Sequence, residues 1–417
     1  MTLPHTFNPA TTFLPAMTAA QRLAELADLA EGTDMSLATR RLMDLCDEYD
    51  ALAAFRQEAM QLRATYNLDR GLGAAELSGE RGQAYAQRVR DLLGRIQAQG
   101  VPNETDGHAA PGASLFLGQG LIKHFRSRGH RFSLGPIDLE LKAGTITGVV
   151  GENGNGKTTL LRQVAGLLDH DEGICVYPGS GTDPYGIRSG IAWIPQRNAR
   201  WYGTLLQNLR FTAAVHGLKG EANRERVEHT LHRLGLTRFR DLTWNELSSG
   251  YKLRFELARM VVWRPRLLVL DEPIANLDLQ AQQLFLQDLR HLASSRRNPV
   301  AVILSSQQLH EIEAIADTIV FLKNGKVAYS GAANAFDRDR STNVFELKAD
   351  ADRARLQQAL AHLTGVDLDD NGLLWRITTP RTLTSRDLLL AVTQAGIEVG
   401  YFRDISTSTR KLFHQDT

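Results

Sequence analysis

Residues 151 to 158 read Gly-Glu-Asn-Gly-Asn-Gly-Lys-Thr and match the pattern G-x-x-x-x-G-K-[ST] in full. The apolar run Ile146 to Val150 precedes them, and a segment with helical spacing, Thr159 to Leu168, follows. A strand, a glycine-rich turn and a helix start in that order gather backbone N–H groups around a polyphosphate. Gly151, Gly154 and Gly156 allow the backbone angles and close approaches that a Cβ would obstruct. The loop therefore predicts binding of a nucleoside triphosphate through Asn153, Gly154, Asn155, Gly156, Lys157, Thr158 and Thr159. Lys157 is suited to the β and γ phosphates, and the Thr158 hydroxyl to Mg²⁺.

A second group stands far downstream. Leu267 to Pro273 reads Leu-Leu-Val-Leu-Asp-Glu-Pro, an apolar strand ending in two carboxylates. In a parallel sheet this places negative charge at the carboxyl edge, where ligands bind. Asp271 is expected to hold Mg²⁺ directly or through water. Glu272 is expected to orient and polarise the water that attacks the γ phosphate.

With these motifs the chain resembles the ATP-binding cassette (ABC) ATPases. Leu247-Ser248-Ser249-Gly250-Tyr251, upstream of the Asp-Glu pair, is similar to that family's signature loop. In the family two cassettes pair head to tail, and the signature of one covers the nucleotide on the phosphate loop of the other. The resemblance thus implies a second cassette as partner. It also implies ATP contact from Ser248, Ser249 and Gly250, aided by the positive end of the following helix. Gln196, which ends Ile-Ala-Trp-Ile-Pro-Gln, resembles the glutamine that senses Mg²⁺ and the attacking water and links the core to the helical subdomain. Asp278, in Ala-Asn-Leu-Asp, resembles the aspartate that communicates across the dimer. Phe125 or Phe132 is the candidate for stacking on adenine, with Phe125 favoured by its place in Leu-Ile-Lys-His-Phe.

Two departures from the family pattern bear on activity. The signature has Ser249 where its usual form has glycine, and Tyr251 where glutamine is frequent, but it keeps Ser248 and Gly250. After the strand Ala301 to Leu304, Gln307 stands where the family normally carries a switch histidine. A glutamine donates a hydrogen bond to a phosphate but carries no imidazolium charge and relays no proton. Mg²⁺-dependent ATP hydrolysis is therefore expected to be slowed without being abolished, with Glu272, Gln196 and Gln307 as the catalytic set. His310, three residues on, is an alternative donor if the local backbone shifts.

These residues need a fold to position them. At 417 residues the chain is long for one hydrophobic core. With 43% hydrophobic and 23% charged residues it reads as a soluble folded protein, and a net charge of +1 offers no general attraction to nucleic acid, so no nucleic-acid partner is expected. No apolar run approaches the roughly 20 residues that span a bilayer. Met1 to Pro9 lacks the basic and apolar regions of a signal peptide. Cys46 and Cys175 are too few for a disulfide scaffold, and both read as buried or semi-buried thiols in a reducing compartment.

Leu42, Leu45, Tyr49, Leu52, Phe55, Ala59 and Leu62 recur at intervals that place them on one helix face, and Tyr85, Val89, Leu92 and Ile96 repeat the pattern. Asn67 to Gly79 reads as a connection between them. Residues 1–99 are thus expected to form a helical accessory module that packs on itself or docks an unknown partner. Residues 100–113 read as a linker by composition.

Residues 114–335 are expected to form the ATPase domain. Leu115 to Leu117, Phe132 to Leu134 and Ile137 to Leu141 predict an antiparallel edge sheet. Leu267 to Leu270, Ala301 to Leu304 and Thr318 to Leu322 are further strands, with helices at Leu205 to Val215 and Glu221 to Leu234. Residues 341–417 predict a small α+β domain with strands at Phe345 to Lys348, Leu373 to Ile377 and Ile397 to Phe402, and helices at Arg353 to Leu363 and Ser385 to Ala395. The fold class is α/β, a P-loop NTPase cassette with antiparallel β and helical subdomains.

Leu309 to Asp317 with Ile319 to Gly331, and the ending Tyr401 to Phe413, resemble exporter-type cassettes that work with separate membrane subunits. That resemblance implies a transporter ATPase held at the cytoplasmic face of the inner or plasma membrane by transmembrane permease subunits. The alternative is a non-transport ABC ATPase, or a nucleotide-operated assembly scaffold with slow hydrolysis.

Overall fold

The computed structural model describes residues 18–31, 34–69, 80–100, 112–127, 130–197, 199–275, 277–335, 342–370 and 374–404. The expectations for the N-terminus, for the linker over 101–111, for residues 70–79 and for the tail beyond 404 lie outside them, as does the side chain of His310.

The chain opens with four helices: α1 (Ala19–Glu31), α2 (Met35–Glu48), α3 (Arg56–Asp69) and α4 (Glu80–Ala98). The periodicity from Leu42 to Leu62 predicts one helix face, yet the helix breaks at Tyr49, where φ is −115° and ψ is 120°. Arg56 explains the break: its guanidinium donates to the carbonyls of Cys46 at 2.8 Å and Asp47 at 3.4 Å. Such donors satisfy the carbonyls that a helix end leaves unpaired. A 3₁₀ turn, Asp50–Phe55, keeps Leu52 inward, so Leu42, Leu45, Tyr49, Leu52 and Leu62 share one core although they come from three segments. Asn67 belongs to α3 rather than to a connection: it is buried and donates to the carbonyl of His232 at 3.2 Å.

There follow β1 (Ser114–Ser127), β2 (His130–Lys142), β3 (Ile146–Val150), α5 (Lys157–Val164), β4 (Glu172–Val176), α6 (Pro184–Ser189) and β5 (Ile191–Ile194). Three helices, α7 (Leu205–Val215), α8 (Gly220–Arg233) and α9 (Ser249–Val261), lead to β6 (Leu267–Leu270). Then come α10 (Leu279–Ala293), β7 (Ala301–Ser306), β8 (Thr318–Lys323) and β9 (Lys326–Ala332). β2, β1 and β4 form an antiparallel sheet, as the alternation predicts. The second sheet runs β5-β6-β7-β3-β8-β9, parallel except for β9. Its central strands β3, β6 and β7 are buried throughout, as parallel strands covered on both faces must be. β7 lies between β3 and β6, so the carboxyl ends of all three meet at one edge.

The last elements are β10 (Thr342–Ala349), α11 (Arg353–Leu360), β11 (Asp367–Asp370), β12 (Trp375–Pro380), α12 (Ser385–Gln394) and β13 (Val399–Asp404). The sheet order β11-β12-β10-β13, all antiparallel, is the β-α-β-β-α-β arrangement called ferredoxin-like. β11 is not foreseen from the sequence, because Asp-Leu-Asp-Asp has one apolar residue; it is an edge strand that buries only Leu368. Ile397 precedes β13 instead of starting it, following Gly396 at φ 67° and filling the core.

The helical module packs on itself and also on the rest of the chain. Arg233 of α8 forms a two-pronged pair with Asp44 of α2 at 2.6 and 3.1 Å. Arg40 of α2 reaches Asp288 of α10 at 2.8 Å, and Arg264 reaches Asp47 at 3.1 Å.

Candidate active site

β3 ends at Val150, and the loop 151–156 turns the chain into α5. Gly151 has no room for a side chain, since a Cβ there would sit 2.6 Å from the carbonyl oxygen of Leu322. Gly156 is constrained twice: its φ is 96°, and a Cβ would come 2.6 Å from Leu134 Cδ1. The loop is thus pressed against β2 and β8, while Asn153 and Gly154 face outward. Asn155 fastens it from a third side, its Oδ1 accepting the Asn324 N–H at 2.9 Å. Lys157 and Thr158 occupy the first turn of α5 and Thr159 lies half-buried beside them.

The Lys157 ammonium donates to the carbonyls of Gly151 at 2.7 Å and Glu152 at 3.2 Å, and lies 3.1 Å from Glu272 Oε1. Thr158 Oγ1 donates to Asp271 Oδ2 at 2.8 Å. On Glu272 Oε2 two amides converge, Gln196 Nε2 at 2.8 Å and Gln307 Nε2 at 2.9 Å. Both glutamines are exposed, whereas Glu272 is buried. Glu272 has a φ of 43°, the left-handed region that a non-glycine residue enters only under constraint. A cavity of about 110 Å³ opens beside it, lined by Glu272, Ile274, Ala275, Gln307, Gln308 and Glu311.

Six residues singled out from sequence therefore meet at one place: Gln196, Lys157, Thr158, Asp271, Glu272 and Gln307. The other candidates lie apart. Ser248 caps α9, its Oγ accepting the Tyr251 N–H at 3.5 Å, with Ser249 and Gly250 opening the helix. Asp278 caps α10, accepting the Ala281 N–H at 2.9 Å. Among the described residues no hydrogen bond joins these caps to the phosphate loop. Phe125 is 39% exposed and sits opposite Phe132 in the β1–β2 register, with ring centroids 6.3 Å apart. Phe132 is the inner ring, with its Cζ 3.2 Å from where a Gly156 Cβ would be.

Sequence reasoning passed over Ser305. It is fully buried at the end of β7, with its Oγ 2.8 Å from both Asp271 Oδ1 and the Glu272 nitrogen. The signal was a hydroxyl closing an apolar strand that must neighbour the carboxylate strand.

Comparisons with known proteins bear on this geometry. A family model described as ABC transporter matches residues 134–275. A probable sulfate/thiosulfate import ATP-binding protein of Chlorella vulgaris is 31% identical over 231 residues, 54% of this chain and 95% of that protein. A daunorubicin resistance ATP-binding protein of Streptomyces coeruleorubidus is 30% identical over 276 residues, 65% of this chain and 86% of that one. Among solved structures, cbiO1 of Clostridium perfringens, part of the ABC transporter complex cbiONQ, aligns with a TM-score of 0.49 and 23% identity over 60% of this chain and 96% of its own.

Proposed function

This chain belongs to the ATP-binding proteins of ABC transporters, which bind and hydrolyse ATP and work with membrane partner subunits, and on that premise we propose how its residues divide the work. The observation that carries the reading is the convergence of Lys157, Gln196 and Gln307 on Glu272, beside the Thr158–Asp271 pair. Backbone N–H groups of residues 153–159 cradle the phosphates, and the Lys157 ammonium takes up their oxygens. Thr158 Oγ1 and Asp271 Oδ2 are hard oxygen donors 2.8 Å apart, suited to Mg²⁺, with Gln196 close by as a further ligand. When bound with ATP, Mg²⁺ neutralises charge that develops on the phosphoryl oxygens. Glu272 orients the attacking water and draws on its proton, held in place by the two glutamine amides. Gln307 donates a hydrogen bond to the γ phosphate but adds no charge, which slows turnover. The exposed Phe125 ring stacks on adenine.

Ser248, Ser249 and Gly250 lie at the positive end of α9 and serve the nucleotide of a second copy paired head to tail, with Asp278 near the seam. No helix among the described residues is long and apolar enough to cross a membrane. Attachment to the cytoplasmic face through permease subunits follows from the family's way of working. We propose the exporter branch, from the resemblance of Leu309 to Asp317 and Ile319 to Gly331 to exporter-type cassettes; the relatives include both import and resistance proteins. Deleting the gene should then sensitise cells to a toxic organic compound; a new nutrient requirement instead would reverse the direction. Absence of copurifying membrane subunits would remove the permease partners, and turnover that survives Glu272→Gln would remove the catalytic assignment.

A further inference from the structure

We propose that Ser305 is a positioning residue whose single hydroxyl sets the Asp271 carboxylate and the Glu272 main chain in a fixed relation. The proposal deepens the reading of Asp271 as the metal carboxylate and Glu272 as the water-orienting one, and it rests on that reading. Ser305 is the penultimate residue of β7, the strand between the phosphate-loop strand and the carboxylate strand, and is 0% exposed. Its Oγ stands 2.8 Å from the Glu272 nitrogen and 2.8 Å from Asp271 Oδ1. The two roles of this hydroxyl are forced. An N–H can only donate, so Ser305 accepts from Glu272, and its own proton is then free for the carboxylate, which accepts.

The consequences differ for the two acids. Asp271 is gripped at both oxygens, Oδ1 by Ser305 and Oδ2 by Thr158 at 2.8 Å, so the plane of its carboxylate cannot turn. The oxygen left facing the phosphate loop is Oδ2. Glu272 has a buried N–H and a φ of 43°, a conformation that needs outside support. Ser305 supplies the acceptor for that N–H and holds the backbone turn that aims the Glu272 side chain at Lys157, Gln196 and Gln307. One hydroxyl thus links metal geometry to water geometry, since a group bonded behind a ligand fixes how that ligand faces the ion.

The test uses the full chain with Ser305→Ala, Ser305→Cys, which keeps the size and weakens the hydrogen bonds, and Ser305→Thr, which keeps the hydroxyl. Two readouts need no turnover: hydrogen exchange of the Glu272 amide in nucleotide-free protein, and binding of Mn²⁺·ATP followed by electron paramagnetic resonance. The third is the Mg²⁺ dependence of ATP hydrolysis. Alanine and cysteine should speed exchange at Glu272 and weaken metal dependence about 10–100-fold, leaving metal-free ATP affinity within about twofold, and threonine should restore both. If alanine fails to fold, the size-matched cysteine decides. Parent-like exchange and parent-like metal dependence in the folded cysteine variant would overturn the proposal. Hydrolysis unaffected by Glu272→Gln would sink the underlying reading instead, and the amide exchange would still decide the positioning role.

Discussion

At the carboxyl edge of the parallel sheet, Lys157 and Glu272 lie 3.1 Å apart with 4% and 6% of their side chains exposed. Between α2 and α10, Arg40 and Asp288 lie 2.8 Å apart with 7% and 6% exposed. By distance and burial the two ion pairs are alike, and their surroundings separate them. Around Glu272 the neighbouring donors Gln196, Gln307 and Thr158 are exposed. Around Arg40 and Asp288 stand further fixed pairs, Arg233 with Asp44 and Arg264 with Asp47, which join α2 to both α8 and the end of α9. The first network has groups free to exchange partners with a ligand. The second fastens α2 to α8, α10 and the chain just after α9. Of these two ion pairs, the one at the site is the one ringed by solvent-facing donors.

The comparison is sharpened most by Glu272→Gln. It should lower steady-state ATP turnover by about 10²–10⁴-fold, the usual scale of a general base, while ATP binding measured by calorimetry stays near that of the parent. Next is Asp44→Ala, which strands the Arg233 guanidinium. Denaturant unfolding should show a loss of about 3 kcal/mol, with turnover per folded molecule within about twofold of the parent. A catalytic defect larger than that would break the distinction between the two networks.

Acid should also act on the second network. Burial holds His229 below its ordinary 6.5, at about 4, and lowers His291 for the same reason. For a depressed histidine the stability contribution is complete above 6.5 and is lost as pH falls, because the unfolded chain takes up protons that the folded chain refuses. Glu48 opposes this: burial raises it to about 7 against the pull of Arg22, so folding gains as pH falls from there toward 4.5. Comparing unfolding at neutral pH and about pH 5, His229→Gln should lose about 2 kcal/mol less than the parent. Equal losses would remove His229 from the balance. The smallest effect is expected from Gln307→His. An added charge-assisted hydrogen bond of about 1.5 kcal/mol would raise turnover about tenfold, and an unchanged rate would show that Gln307 already does what a histidine would do there.

Much of the site was legible because its motifs are contiguous in the chain. Gly151 and Gly156 have no tolerable Cβ, Lys157 and Thr158 follow at a helix start, and Asp271 and Glu272 end an apolar strand. The strand Leu267–Leu270, the helix Leu205–Val215 and the apolar part of β7, Ala301 to Leu304, were equally plain, since their apolar runs and periods need no distant information. The break at Tyr49 was not, because Leu42 to Leu62 keep their helical spacing on both sides and the terminating donor, Arg56, acts through space on carbonyls of the preceding helix. β11 was missed for the opposite reason: an edge strand with one buried leucine has almost no pattern to read.

What the sequence by itself determined is the chemistry: a phosphate-binding loop, a pair of carboxylates and two glutamines of stated type. Tertiary structure alone decided which of these groups meet. Strand order inserts β7 between β3 and β6, and that placement sets Ser305 against Asp271 and brings Gln307 and Gln196 onto one oxygen of Glu272. It also drew acidic and basic residues of α2 into pairs with α8 and α10, the Arg40–Asp288 pair buried. Motifs are local because backbone conformation and hydrogen bonding act over a few residues. Partners such as Asp44 and Arg233, or Ser305 and Asp271, are chosen by how sheets and helices pack, and spacing along the chain carries no record of that choice.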